Sequence, residues 1–265
     1  MTPSQLEKAK RFRALHEGEP FVIPNPWDAG SARILEALEF EALATTSAGF
    51  AMALGRLDGD VTLAEVARHT RELDQAVALP VAVDLENGYG SSPEDAARAI
   101  TEAAAAGAVG GSIEDWDPES GIYEVGHATE RIVAAAEAAR ALDFPFTLTA
   151  RAENHLRGNP DLDNTIARLN SYAEAGADVL YAPVLRTGEE IRAVAEATSK
   201  PLNVLALAGM TLSEITAAGG QRISVGSQLA WVAVGAMARA AEAIRDNGDF
   251  SAFAKRVPVS DWLGS

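Results

Sequence analysis

Carboxylates recur at the ends of short, β-rich apolar runs in this chain. PVAVD at 80–84 leads into Leu85-Glu86-Asn87-Gly88-Tyr89-Gly90, VGGSI at 109–113 into Glu114-Asp115, and FTLTA at 146–150 into Arg151-Ala152-Glu153-Asn154. Strand alternation carried past Asp84 places Glu86 on the same side, with Leu85 turned away, so that two oxygen ligands are aimed at one point. Acids gathered in this way repel and raise each other's pKa unless a cation sits among them. An all-oxygen set with no cysteine and no histidine cluster suits Mg2+ or Mn2+ rather than Zn2+. The plainer reading makes the same residues solvated loop acids or helix caps in an acidic protein. Arg151 has a planar fork that holds a carboxylate at two points; the alternative is a salt bridge to Glu153 or Glu114. Thr45, Thr46 and Ser47, followed by Ala48 and Gly49, either offer hydroxyl and N–H groups to an anion or simply turn the chain.

Other polar candidates are weaker. Of the four histidines, His155 falls near these strand ends, His16 lies in the N-terminal segment, and His69 and His127 lie in helical stretches where surface or capping positions are the rule. Gly226-Ser227 and Gly209 read either as a phosphate cradle or as plain turns.

Positioning these side chains requires a scaffold, and eight β-rich runs supply one. They fall at 21–25, 42–46, 80–84, 109–113, 146–150, 179–183, 201–205 and 222–226, and Ala-rich segments of helical period separate them. Ser92-Pro93-Glu94 and the Thr211/Glu214 pair are helix-start signals. Ala106-Gly107-Ala108 and Ala175-Gly176-Ala177 each end a helix and open a strand, Gly supplying the left-handed residue. The alternation predicts a (β/α)8 TIM barrel over residues 1–265 as one domain, with a helical segment at 1–20 and a tail at 247–265; a doubly wound open sheet is the competing architecture. In a barrel the strand C-termini meet at one mouth, so the acids and Arg151 converge there. Phe250, Phe253 and Trp262 in the tail are expected to dock on the barrel or on a neighbouring subunit.

Composition narrows the partners. The 265 residues carry a net charge of −16, which disfavours nucleic acid and anionic membrane surfaces. No apolar run approaches the roughly 18 residues of a membrane span, and the polar start is unlike a signal peptide, so a cytoplasmic location is expected. Zero cysteines exclude disulfides, thiolate metal sites and a catalytic thiol.

The stretches PNPWDAGSARI at 24–34, TTSAGFAMALGRLDG at 45–59, PVAVDLENGYG at 80–90, GGSIED at 110–115 and LTARAENHL at 148–156 resemble the isocitrate lyase and phosphoenolpyruvate mutase superfamily. The resemblance covers nearly the whole chain. It implies a Mg2+-dependent barrel, Mn2+ being an alternative, acting on small 2-oxo or 2-hydroxy carboxylates through an enolate. It also implies a homo-oligomer, dimer or tetramer, of subunits that exchange a C-terminal helix. By this resemblance Asp84 binds the metal directly, with Asp58, Glu86 and Glu114 holding its waters. Arg151 binds substrate oxygens, and Thr46, Ser47, Ala48 and Gly49, with Trp27 and Asn87, form the substrate site. Glu114, Tyr89 and His155 join Arg151 as candidates for the catalytic work; the mechanism needs a final proton, for which Tyr89, His155 or water are the candidates.

Two departures stand out. The family's D-x-D reads Asp84-Leu85-Glu86, one methylene longer. The K-K-C-G lid of isocitrate and methylisocitrate lyases and the K-T-N-S lid of phosphonate enzymes are both replaced by Glu114-Asp115-Trp116-Asp117-Pro118-Glu119-Ser120-Gly121-Ile122-Tyr123. The pattern is most similar to the carboxyvinyl-carboxyphosphonate phosphorylmutase-like branch, which includes oxaloacetate decarboxylase-type enzymes. The expected function is a carbon–carbon lyase or decarboxylase; the alternatives are phosphorus–carbon chemistry and a barrel that binds 2-oxo acids without turnover.

Overall fold

In the computed structural model, which describes residues 3–254 and 257–264, all eight anticipated runs form strands. They are β1 (Phe21–Ile23), β2 (Leu43–Ala44), β3 (Val81–Asp84) and β4 (Gly110–Glu114), then a two-stranded hairpin of β5 (Trp116–Asp117) and β6 (Gly121–Ile122), then β7 (Thr147–Arg151), β8 (Val179–Tyr181), β9 (Leu202–Leu205) and β10 (Gly220–Ser224). Eight of these pair in parallel in the order β1-β10-β9-β8-β7-β4-β3-β2. The remaining seam, between β1 and β2, is drawn together by the Ala44 N–H donating to the Pro24 carbonyl at 3.1 Å. Asn25 reinforces it: its Nδ2 donates to the Thr45 carbonyl at 3.0 Å, and its Oδ1 accepts from the Val225 and Gly226 amides, both at 2.9 Å. The result is a TIM-type barrel whose strands are wrapped by helices.

The local signals act as their chemistry requires. Ser92 and Thr211 each cap a helix with a reciprocal capping box, which satisfies amides that have no partner within the helix. Gly107 and Gly176 sit at φ 106° and 109°. A Cβ on either would also lie 2.5 Å from a charged side chain, Asp74 or Arg140, so these positions require glycine twice over. Alanines such as Ala96, Ala99, Ala103, Ala135 and Ala139 form much of the layer between helices and strands and let the two approach closely. The N-terminal helix Gln5–Glu17 closes the bottom of the barrel with Phe12, which is fully buried. Gly110 gives way to it, since a Cβ there would stand 2.8 Å from the Phe12 ring.

Three features depart from the sequence reading. Residues Ser47–Ala53 form a helix rather than a plain turn, capped by Thr46, whose Oγ1 accepts from the Gly49 amide at 3.3 Å. His69 is buried rather than on the surface, stacked on Phe50 with ring centroids 3.9 Å apart. The tail divides: helix Val259–Leu263 packs on helix Ala29–Ala37, with Arg33 donating to the Leu263 carbonyl at 3.3 Å, whereas Phe250 and Phe253 are exposed.

Candidate active site

A cavity of about 240 Å3 opens at the C-terminal end of the barrel and is lined by Thr46, Ser47, Ala48, Asp58, Asp84, Ser112, Arg151 and Tyr181, among others. Asp84, the last residue of β3, is held from several sides. Its amide donates to Thr45 Oγ1 at 2.9 Å, and its carboxylate accepts from the Ser47 amide at 3.4 Å, the Glu86 amide at 3.2 Å and the Ser112 hydroxyl at 3.5 Å. Glu86 lies beyond the end of the strand, at φ 47°, so a left-handed turn brings it back to Asp84 where continued alternation was expected to do so. That turn is closed by the Gly88 amide donating to the Leu85 carbonyl at 2.7 Å.

Arg151, at the end of β7, stands between the acids. Nη1 lies 3.3 Å from Glu114 and 3.8 Å from Asp84, and Nε lies 2.5 Å from Glu153. Arg157 adds contacts to Glu153 at 2.9 Å and to Glu114 at 3.7 Å, and its guanidinium covers the Trp116 ring at 3.3 Å. Arg151 is therefore both the salt-bridge partner of Glu114 and Glu153 and a lining residue of the cavity. Burial works against its charge, but Glu114, Glu153 and Asp84 together hold its pKa well above the ordinary value.

The acids outnumber these cations, and their protonation shows it. Burial, followed by repulsion from Asp84 and Asp58, raises Glu86 to about 7. Glu114 is pushed well above the carboxylate range by burial, with Glu153, Asp84 and Glu86 adding to the effect against the pull of Arg151. A divalent cation beside Asp84 would relieve that repulsion. Among the described residues no three acids or histidines close into a complete inner ligand shell. Asp84 at the cavity wall, with the oxygen-only acids Asp58, Glu86 and Glu114 near it, is a donor set of the kind Mg2+ takes, one or two carboxylates with several waters.

The other sequence candidates are spread over several positions. Thr46, Ser47, Ala48 and Asp58 line the cavity together with Asp84 and Arg151. Glu86, Glu114 and Tyr89 stand behind that wall, Tyr89 donating its hydroxyl to Glu86 at 3.1 Å. Gly49 and Trp27 form a support: a Cβ on Gly49 would meet Thr46 Cγ2 at 2.6 Å and Trp27 Cβ at 3.1 Å. Asn87 holds the hairpin, its Nδ2 donating to Asp117 at 3.2 Å. His155 is not among the residues that line the cavity, and burial lowers its pKa against the opposing pull of Glu190 and Asp161. The amides of Val225 and Gly226 are taken by Asn25, so that turn offers an anion little.

Sequence reasoning passed over Tyr181 and Arg222, which also line the cavity. Both sit inside runs that read as core strand, and a polar residue within an apolar run was the one signal the sequence offered. Tyr181 lies beneath Arg151, whose guanidinium carbon is 5.4 Å from the ring centroid. Burial raises the Tyr181 pKa.

Comparison with known proteins agrees with the barrel fold. Residues 12–245 match the family model for phosphoenolpyruvate phosphomutase. A solved structure from Burkholderia cenocepacia J2315, assigned only provisionally to the lyases and mutases, is 49% identical, with 98% of this chain and 97% of that one covered and a TM-score of 0.95. The 2-methylisocitrate lyase of Halalkalibacterium halodurans is 34% identical over 78% of this chain and 69% of its own length. The oxaloacetate decarboxylase of Bradyrhizobium diazoefficiens is 31% identical over 83% of this chain and 78% of its own. The chain thus belongs to the phosphoenolpyruvate phosphomutase family and is a lyase-type enzyme of the isocitrate lyase and phosphoenolpyruvate mutase superfamily.

Proposed function

We propose that this enzyme is a Mg2+- or Mn2+-dependent lyase acting on a small 2-oxo or 2-hydroxy dicarboxylate, with cleavage at the carbon next to a pyruvate-like unit. The observation that supports it best is the crowding of Asp84, Glu86, Glu114 and Glu153 around Arg151, which leaves negative charge for a cation to balance. Asp84 would hold the metal, with Asp58, Glu86 and Glu114 reached through its waters; when bound, the metal supplies Lewis acidity toward the carboxylate and keto or hydroxyl oxygens of the substrate. Arg151 stabilises charge that develops on the enolate oxygen, an interaction stronger at the transition state than with the substrate. Ser47 and Ala48, which line the cavity beside Asp84, are proposed to meet the carboxylate end of the substrate. Tyr181, kept protonated by burial, lines the cavity and is our candidate for the donor that protonates the carbon left by bond breaking. Leu156, which lines the cavity, restricts water. The protein works as a homo-oligomer in the cytoplasm.

Asp84→Ala should reduce Mg2+-dependent pyruvate release, assayed with oxaloacetate and a panel of 2-hydroxy diacids, by about a thousandfold or more. Undiminished, metal-independent turnover would refute the proposal. The family model also leaves room for phosphorus–carbon chemistry in the same pocket. Consumption of phosphonopyruvate, followed by phosphorus NMR, would favour that reading instead.

A further inference from the structure

Barrels of this kind usually fill their interior with branched apolar side chains. Here the layer below Asp84 and Arg151 is polar: Thr149 on β7, Asn203 on β9 and Arg222 with Ser224 on β10 line the lower part of the same cavity. Arg222 is only 6% exposed. Its Nε donates to Asn203 Oδ1 at 2.8 Å, Nη2 to Thr149 Oγ1 at 2.9 Å and Nη1 to His16 Nε2 at 3.3 Å. All three acceptors are neutral. His16 has Nδ1 against the Phe12 carbonyl at 2.8 Å, which leaves Nε2 as the acceptor, and burial with Arg222 beside it lowers its pKa to about 3.

Three other buried cations of this fold are matched by a carboxylate: Lys8 meets Asp74, Arg168 meets Asp115 and Arg151 meets Glu114. Arg131, like Arg222, has neutral direct partners, the backbone carbonyls of Asn87, Gly90 and Ser92, but it lies away from the cavity that Arg222 lines. Among the described residues no carboxylate pairs with Arg222, and Tyr181 is the one ionisable group that favours its charge. A buried charge without a counter-charge is costly and calls for an anion. Three of the five guanidinium donors are used, so two N–H groups remain. Space is available as well, because Ala44 and Ala82 line the cavity at this depth with little bulk. Thr149, which Arg222 touches, lies two positions before Arg151 on β7, about 7 Å of strand. That drop suits a short diacid with one end at Asp84 and the other below.

We propose that Arg222 anchors the second carboxylate of the substrate, making the enzyme selective for diacids long enough to reach from Asp84 to Arg222 over monoacids and over the shorter oxalate. This rests on the dicarboxylate lyase reading above and adds a location for the far end of the substrate. Calorimetry on the Mg2+-loaded protein with malate and with oxalate tests it, since oxalate is too short to reach Arg222. Two variants are used: Arg222→Met removes the charge, and Asn203→Asp sets a carboxylate on Arg222 without changing shape, so it remains informative if the first variant fails to fold. The expected result in both is malate affinity weakened about tenfold or more, with oxalate affinity changed by less than about twofold. Equal malate affinity in wild type and Asn203→Asp overturns the proposal, as does an equal loss for both ligands, which marks a merely structural role. Wild type that binds oxalate and ignores malate overturns the anchor alone; wild type that binds neither overturns the lyase reading with it.

Discussion

Which side chains hold protons near neutrality decides what the site can do. Glu86 is the acid whose pKa of about 7 reports most directly on its neighbours, and it owes its position to a left-handed backbone angle that costs a non-glycine residue energy. Tyr181, by contrast, stays protonated and stands at the cavity wall. Tyr181→Phe is expected to lower kcat about a hundredfold with little change in KM, whereas Tyr89→Phe and His155→Gln should stay within about threefold of wild type. Steady-state kinetics on the three variants checks this, and full activity in Tyr181→Phe would remove the residue from the mechanism. Asp84, Glu114 and Arg151 were legible in the sequence because charged residues at the ends of apolar runs have few structural reasons to be there. Tyr181, Asn203 and Arg222 were not, because inside a strand the sequence does not say whether a polar residue faces solvent, the helices or the barrel axis.

Among the elements, the eight strands were legible because each run is short, β-rich and bounded by turn signals. The helix Ser47–Ala53 was not, since Ser47, Gly49 and the two threonines read as a turn; the Thr46 cap and the burial of Phe50 favour the helix instead. Phe50 in turn fixes His69, whose Nε2 is buried with no hydrogen-bond partner and whose pKa burial lowers to about 4. As pH falls below the unfolded value of 6.5, the unfolded chain takes up a proton that folded His69 refuses until about pH 4. The stability His69 contributes is therefore present above pH 6.5 and lost progressively toward pH 4. His69→Phe keeps the stacked pair and removes the orphaned nitrogen. Thermal unfolding should show the variant gaining about 1–3 kcal/mol relative to wild type between neutral pH and pH 4. An unchanged pH slope would contradict this.

For the whole molecule, the helix Gln228–Asn247 is the element least accounted for by its own barrel. Over 20 residues it buries only Ala230, and it exposes Val232 and Met237 at 66% each. Phe250 and Phe253 extend the apolar surface. In a chain of net charge −16, the proposed homo-oligomer would cover such a surface with a second copy. Sedimentation should find a dimer or tetramer in wild type and a smaller species in Val232→Glu with Met237→Glu. A wild type that sediments as a monomer would contradict this.

The account depends most on a divalent ion at Asp84. Mn2+ binding followed by electron paramagnetic resonance, in the presence of oxalate, tests this directly. The prediction is one tightly held Mn2+ per wild-type chain and an affinity at least about tenfold weaker in Asp84→Asn. A wild-type protein that leaves Mn2+ free in solution, or an Asp84→Asn variant that binds it equally well, would contradict it.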